Sequence, residues 1–145
     1  MPVRTYNPEK VVIIVGGMPM SGFADGTFVT IAMINDGITT QVGADREIAR
    51  AINTDRRCDV NITLQQTSQS NSFLSTLFNT DMLSCGSRVV PILVQDLCGD
   101  TIFAASEAWV VKPADIEFGN ELTNRAWHIQ TGQPSSYNVG GNPAN

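Results

Sequence analysis

The sequence predicts a mainly β fold, an antiparallel β-sandwich or barrel with one flanking α-helix. About seven short segments rich in β-branched residues alternate with turn residues, and a single stretch, about residues 70–84, has helical periodicity. Segments of this kind pack as sandwiches or barrels, with the helix closing one side. We expect one domain over residues 1–145, with an extended arm at 1–9 and a polar tail at 131–145.

The helix is predicted because large apolar residues recur at i, i+3 and i+4 spacing. Six of them share one face: Phe73, Leu74, Leu77, Phe78, Met82 and Leu83. Ser70 or Asn71 is expected to cap the start, and Gly86 to take a left-handed conformation past the end. Burial contributes about 1.5–3 kcal/mol per side chain, whereas ordering the backbone costs about 1–2 kcal/mol per residue. The helix therefore needs a sheet to pack on.

The strands follow from β-branched runs bounded by Gly, Pro, Asn and Asp. We expect strands at residues 11–15, 27–34, 46–52, 57–66, 89–97, 101–111 and, as a bent strand or strand pair, 117–130. The alternation is cleanest at 57–66, where Val60, Ile62 and Leu64 predict a buried face and the residues between them a solvated face. Pro91 is compatible only with a strand end or an edge.

The composition limits the classes of function. Net charge is −5 and charged residues make up 16% of the chain, against about 25% in average soluble domains. A negative chain does not fit a nucleic-acid binder that acts by counterion release. A weakly charged surface suggests neighbours that cover it, although a weakly charged monomer is the simpler alternative. No signal peptide or transmembrane helix is predicted.

The usual catalytic and metal-binding patterns are absent from the sequence. Its only histidine, His128, lies in a predicted strand, where a polar strand residue is a simpler interpretation than a general base. Three scattered cysteines lack the close spacing of a zinc site. Asp115 and Glu117 share a predicted strand face and resemble a carboxylate pair, but two solvated acids beside a turn are the default interpretation. We therefore predict no enzymatic activity and no cofactor.

One cluster of opposite charges suggests contacts between subunits. It combines four arginines with four acids, so the segment is neutral overall: Asp45, Arg46, Glu47, Arg50, Asp55, Arg56, Arg57 and Asp59. Ion pairing across an interface, chiefly by Asp45, Arg46, Arg50, Arg56 and Arg57, suits this balance better than phosphate binding. A solvated surface is the alternative interpretation.

Five stretches of the sequence carry a family resemblance. In order, they are Tyr6-Asn7-Pro8 leading into residues 11–17, Ser21-Gly22-Phe23-Ala24-Asp25-Gly26-Thr27-Phe28-Val29, Val42-Gly43-Ala44-Asp45, Asn61-Ile62-Thr63-Leu64-Gln65-Gln66-Thr67-Ser68 and the helix after Asn71. Together they resemble the tail tube proteins of phages with contractile tails. The similarity runs from about residue 6 to residue 132 without large gaps.

The resemblance implies a structural protein of the virion tail. In that family six copies form a ring, and rings stack into a hollow tube through which genome DNA passes on contraction. The implied partners are other copies of the chain, a sheath protein outside, a tape-measure protein and then DNA in the bore, and baseplate or initiator proteins, with no membrane anchor. The related tube of type VI secretion and other contractile injection systems is the alternative.

Within that framework, two surfaces are predicted. DNA must slide through a bore without sticking, and six to ten cationic phosphate contacts would hold it, so the solvated face of the strand at 57–66 is a suitable lining. The expected lining residues are Asp59, Asn61, Thr63 and Gln65, with Glu47 on the preceding strand. A polar loop is expected to reach the adjacent ring or subunit and contains Asn35, Asp36, Ile38, Thr39, Thr40, Gln41 and Val42.

Overall fold

The computed structural model describes residues 2–144 and contains ten strands and one α-helix. The strands are β1 (Val11–Val15), β2 (Met18–Pro19), β3 (Val29–Met33), β4 (Ile38–Val42), β5 (Ile48–Ile52), β6 (Cys58–Gln65), β7 (Val90–Asp96), β8 (Ile102–Lys112), β9 (Asn124–Thr131) and β10 (Ser136–Asn138). The helix α1 (Ser70–Leu83) connects β6 to β7, and a short 3-10 helix at Pro8–Lys10 precedes β1.

Eight strands form one antiparallel sheet in the order β2-β1-β7-β8-β9-β6-β3, with β10 paired to β8. The mainly antiparallel fold with one helix, predicted from the sequence, is confirmed. Strands β4 and β5 pair only with each other, as a separate hairpin. Within residues 2–144 the sheet ends at β2 and at β3 and does not close into a barrel.

The main sheet bends at strand β8. Phe103 and Ala105 face the core in its first half and Ala108 in its second, so the inward face changes from odd to even residue numbers. An extra residue in β8 opposite Pro91 causes this change. A bulge leaves part of the ladder unpaired and bends the strand, which is where a proline without an N–H is tolerated.

The two halves of the bent sheet face a common apolar core. Its fully buried side chains come from β1, β6, β7, β9 and α1, and include Ile13, Ile62, Ile92, Ile129 and Leu74. The burial pattern of β6 follows the predicted alternation, with every second residue from Cys58 to Leu64 buried. Because buried and solvated faces alternate along a strand, the opposite face of this half of the sheet is polar.

The helix buries only its first three turns. Leu74 and Leu77 are buried, and Phe73 and Phe78 pack against the core at its margin. Leu77 lines a small cavity together with Val15 and Val90, the last residue of β1 and the first of β7. The turn that follows has passed the rim of the sheet. Met82 and Leu83, placed on the buried face from the sequence, are 69% and 87% exposed, so that part of the prediction is wrong.

The N-terminus of α1 differs from the prediction, because neither Ser70 nor Asn71 is its cap. Both lie inside the helix, the N-cap is Gln69, and its side chain makes no capping bond. Ser70 Oγ instead accepts a hydrogen bond from the Ser21 N–H at 3.0 Å. Asn71 Oδ1 accepts one from Trp127 Nε1 at 2.9 Å. These two side chains fix the helix to the sheet. At the other end Gly86 is left-handed, as predicted, with φ +96°.

The C-terminal tail, expected to have little to bury, is paired with the body. Strand β10 runs antiparallel to the first half of β8. Asn142 Nδ2 donates to the carbonyls of Thr5 at 2.9 Å and Cys98 at 3.1 Å. A Cβ at Gly140 would lie 2.5 Å from the Cβ of Asp100, so the approach requires glycine. The C-terminal tail therefore connects the N-terminal arm to the β7–β8 turn.

The base of the β4–β5 hairpin is held by Asp55. Its carboxylate accepts from Arg57 Nε and Nη2, each at 2.9 Å, and from Asn35 Nδ2 at 2.7 Å. The Asn53 N–H donates to the Gly37 carbonyl at 2.8 Å and closes the hairpin. The hydrogen bonds from Arg57 to the carboxylate lower the pKa of Asp55 below its ordinary value. A bidentate arginine–carboxylate pair of this kind fixes the relative orientation of the two side chains as well as the distance between them.

We expect the core contribution of α1 to end before its last turn. Leu74→Ala should lower the free energy of unfolding by about 2–5 kcal/mol, because it leaves a cavity in the core. The matched control Leu83→Ala removes an exposed side chain from the same helix and should change it by less than about 0.5 kcal/mol. Urea unfolding of both variants tests this, and equal losses would contradict the assignment.

We expect the Asp55 carboxyl to titrate below the ordinary aspartate value in an NMR pH titration. Since its folded pKa is lowered, the stabilisation from the pair is complete above the unfolded pKa and is lost as pH falls through the folded one. Arg57→Ala should return the midpoint to the ordinary value. Arg56→Ala, a substitution of the neighbouring exposed arginine, should leave it unchanged; a shift in both variants would show that general charge, and not the pair, sets the pKa.

Candidate assembly surfaces

The solvated side of β6 lies at the centre of a broad polar face. Asp59, Asn61, Thr63 and Gln65 point away from the core. Their register partners share this face because directly opposed residues in an antiparallel pair project to the same side. These partners are Thr30 and Ala32 on β3 and Asn124, Ala126, His128 and Gln130 on β9. We call these ten residues the polar face.

The polar face contains one close contact between a histidine and a carboxylate. His128 Nε2 lies 2.8 Å from Asp59 Oδ1, with about a third of each side chain exposed. His128 is thus a polar strand residue with a carboxylate partner. Lys112 is the register partner of His128 on β8, and it borders a shallow polar depression with Asp115 and Glu117. Acids therefore accompany each cationic group at this position.

Glu47 does not join this surface in the way that the sequence suggested. The prediction placed it on the strand that precedes β6 in the chain, but that strand, β5, begins at Ile48 and pairs only with β4, whereas the neighbours of β6 are β3 and β9. Glu47 belongs to the turn between β4 and β5, where Gly43 donates its N–H to the Glu47 carbonyl. Period-two alternation identifies a strand but not the sheet it enters, and here the preceding strand belongs to the separate hairpin.

The predicted loop is an ordered β-hairpin. Residues Ile38–Val42 pair along their whole length with Ile48–Ile52. Asn35 and Asp36 precede it, and Asn35 is bonded to Asp55 at the base. All ten strand residues are exposed. An isolated two-stranded hairpin is only marginally stable in water, so contact with another surface would stabilise this element.

One face of the hairpin is apolar. The register pairs Ile38 with Ile52 and Val42 with Ile48, so these four side chains share a face, with Arg50 between them. They are 50–70% exposed. The opposite face carries small or polar residues, Thr39, Gln41, Ala49 and Ala51. This apolar face is not predicted from the sequence, in which residues 38–42 have the composition of a polar loop.

The charged cluster is divided between two places. Asp45 and Arg46 lie in the hairpin turn, Arg50 lies on β5, and Arg56 precedes β6. Arg57 pairs with Asp55 of its own chain. Among residues 2–144 the ion pairs are this one and His128–Asp59. Pairing of Asp45, Arg46, Arg50 and Arg56 across an interface remains a prediction.

Strand β3 is an open edge of the main sheet. Its bonds to β6 include Thr63 N–H to the Phe28 carbonyl and Ile34 N–H to the Arg57 carbonyl. Because hydrogen-bonded and non-bonded pairs alternate in an antiparallel ladder, the backbone groups of Val29, Ile31 and Met33 point away from β6. Within the described chain no strand pairs on that side. The Tyr137 hydroxyl donates to the Ile31 carbonyl at 3.3 Å.

An apolar cleft of about 630 Å³ lies beside this edge. It opens between β3 and the layer formed by β7, β8 and β10. Its lining is largely aliphatic and aromatic and includes Val11, Ile31, Val94, Phe103, Tyr137 and Val139. The open strand offers unpaired backbone groups, and the cleft beside it offers apolar surface. A strand added from another chain needs both, because it hydrogen-bonds to the edge and buries its side chains next to it.

Within the described part of the chain, no three His, Cys, Asp or Glu side chains are close enough to hold a metal ion together. No helix among residues 2–144 has both the length and the apolar character needed to cross a bilayer.

Comparison with known proteins gives three results. The family described as the bacteriophage PhiTE tail tube protein matches residues 13–136. Structural protein ORF10 of Pseudomonas phage KPP10 is 27% identical over 146 residues, which cover 95% of this chain and 83% of that protein. A cryo-EM structure of the anti-feeding prophage cap, which terminates that tube, has the same fold with a TM-score of 0.62 at 7% identity, covering 99% of this chain and 95% of that one.

The family match spans most of the chain and includes the main sheet, the hairpin and α1. It confirms the family that the sequence resembled. The chain is a structural component of the phage virion, and it belongs to the bacteriophage tail tube protein family.

Proposed function

We propose that six copies of this chain form a ring and that stacked rings form the inner tail tube, which conducts genome DNA into the host. The open edge of β3 carries the proposal. Backbone N–H and C=O groups along an exposed edge are a template for another chain, and joining edges around a closed ring satisfies them in every copy. The family assignment makes copies of the same chain the natural partners.

The polar face is the proposed lining of the bore. It carries amides, hydroxyls and small side chains at Asn61, Thr63, Gln65 and their neighbours, and its histidine is paired with Asp59. The face therefore offers few cationic groups to the phosphates of DNA. Because affinity for DNA grows with the number of phosphate contacts, DNA binds such a face weakly. DNA and, before it, a tape-measure protein can then move without being held. Glu47 is not part of this lining.

The β4–β5 hairpin is the proposed contact between neighbouring subunits or rings. It is ordered and exposed, and it presents four aliphatic side chains that its own chain does not cover. The remaining partners follow from the architecture of a tube, with a sheath protein around it and a baseplate or initiator at its start.

A second candidate is a protein that ends a tube instead of building it. The solved structure with this fold that comes from the anti-feeding prophage is described as a tube-terminating cap. A terminator also forms a ring, but one of its ring faces does not accept another ring. The purified chain would then give single rings and no rods.

We expect deletion of the hairpin to separate folding from assembly. Because Gly37 and Asn53 are hydrogen-bonded neighbours at its base, residues 38–52 can be removed and the ends joined by a short linker. Negative-stain microscopy should show rings or hollow rods for the unaltered chain and only monomers for the deletion, with circular dichroism unchanged in the main sheet. Normal rods from the deletion would contradict the role of the hairpin. Monomers from the unaltered chain at every concentration would contradict the tube.

We expect added positive charge on the polar face to slow DNA ejection. Asn61→Lys with Gln65→Lys places two cations on every subunit, hence about twelve phosphate contacts per ring of six, enough to hold DNA at moderate salt. Phage with these substitutions should assemble tails but release DNA more slowly, and raising the salt should restore the rate. Asn61→Asp with Gln65→Glu is the control and should eject at the normal rate. Normal ejection by the lysine variant would show that this face does not line the bore.

A further inference from the structure

The loop between β8 and β9, residues 113–123, is an ordered apolar surface. Ile116 and Phe118 are 80% exposed and Leu122 is 76% exposed. Single exposed apolar residues are ordinary, but three on one loop form a patch, and patches of this kind mark interaction sites. The sequence had suggested a strand over part of this region, and the structure shows an irregular loop there instead.

A buried arginine fixes the shape of this loop. Arg125 is 8% exposed, and its Nη2 donates to the Glu117 carbonyl at 2.8 Å while its Nη1 donates to Thr123 Oγ1 at 2.6 Å. The guanidinium carbon lies 5.7 Å from the centre of the Phe118 ring. Gln66 on the β6–α1 connection accepts the Thr123 N–H at 3.1 Å. The exposed apolar side chains are therefore presented by a supported backbone.

The loop is also acidic. Asp115, Glu117 and Glu121 all lie within it, and none has an ion-pair partner among residues 2–144. Lys112, which borders the same depression as Asp115 and Glu117, is the nearby cation. Apolar groups thus alternate with carboxylates along the loop, so a complementary partner needs an apolar face with a cation in it.

The apolar face of the hairpin has this character. Arg50 lies at its centre, with an aliphatic pair on each side. No carboxylate of the described chain pairs with its guanidinium. The acids of the hairpin, Asp45 and Glu47, are at its turn, and the Asp45 carboxylate is bonded to the Glu47 N–H. A guanidinium on an apolar face gains most from a carboxylate that is desolvated with it.

We propose that the hairpin of one subunit docks its apolar face on the 113–123 loop of a second copy, with Arg50 between the carboxylates of Glu117 and Glu121. The inference rests on the proposed assembly into tubes and names the surfaces that meet. The two surfaces are different, so the contact is heterologous. A heterologous contact repeats from copy to copy and gives either a closed ring or an open stack, which is how a tube extends.

Charge reversal tests the contact. Arg50→Glu should raise the protein concentration needed for tubes by at least about tenfold, while the thermal unfolding of the monomer stays unchanged because the side chain is exposed. Glu117→Arg with Glu121→Arg should have the same effect. All three substitutions in one chain should restore tubes. As a control, Arg50→Glu combined with Glu9→Arg, a reversal at an exposed acid beside β1, should not restore them.

Mixing the two defective chains shows whether the contact joins different copies. Chains with Arg50→Glu and chains with Glu117→Arg and Glu121→Arg should form tubes together at equal amounts, although neither does alone. If Arg50→Glu forms tubes normally, or if the combined reversal and the mixture both fail, the hairpin docks elsewhere and the inference is wrong, while the tube itself stands. If the unaltered chain forms no ring or rod, the proposed function fails and the inference fails with it.

Discussion

The open edge at β3 is the constraint on which the rest of the structure depends. A sheet of eight strands that does not close leaves one ladder of N–H and C=O groups facing outward at Val29, Ile31 and Met33. Water can satisfy those groups, but hydrating the apolar cleft beside them costs free energy. Edge strands in monomeric proteins are usually shortened, charged or covered. Here the edge is five residues long and uncharged, and its Ile31 carbonyl accepts a hydrogen bond from the Tyr137 hydroxyl. Such an edge is suited to a chain that meets copies of itself.

The bend at β8 explains how one sheet can provide both a core and a polar outer face. The extra residue opposite Pro91 reverses which side chains of β8 point inward. The half formed by β9, β6 and β3 can then cover the core with one side and present a continuous row of amides and hydroxyls on the other. Helix α1 packs on the core from the remaining side with Leu74 and Leu77. The polar face therefore has a rigid support, and its shape does not depend on loops.

The parts predictable from the sequence are those that depend on local periodicity. Alternation located β6 and its two faces, and i, i+3, i+4 spacing located α1 within one residue of its observed end. Periodicity does not report where the sheet ends, so Met82 and Leu83 were assigned to a core that the helix has already passed. Nor does it report strand order, so the sequence does not show that the strand preceding β6, on which Glu47 was predicted, belongs to a separate hairpin. The polar tail pairs with β8 through backbone groups and Asn142, a contact that side-chain composition does not encode.

Assembly into a tube would explain both the low charge content of the chain and its exposed apolar side chains. A free subunit with aliphatic side chains on its hairpin and on the 113–123 loop risks non-specific association, which proteins normally oppose with surface charge. If both surfaces are covered in the tube, few charges are needed, and those that remain can select the partner. Arg50 among aliphatic side chains is costly to bury without a carboxylate. In a wrong docking position the guanidinium of Arg50 would be buried without a carboxylate, whereas in the proposed position it would be paired. Arg50 would therefore select the correct docking position.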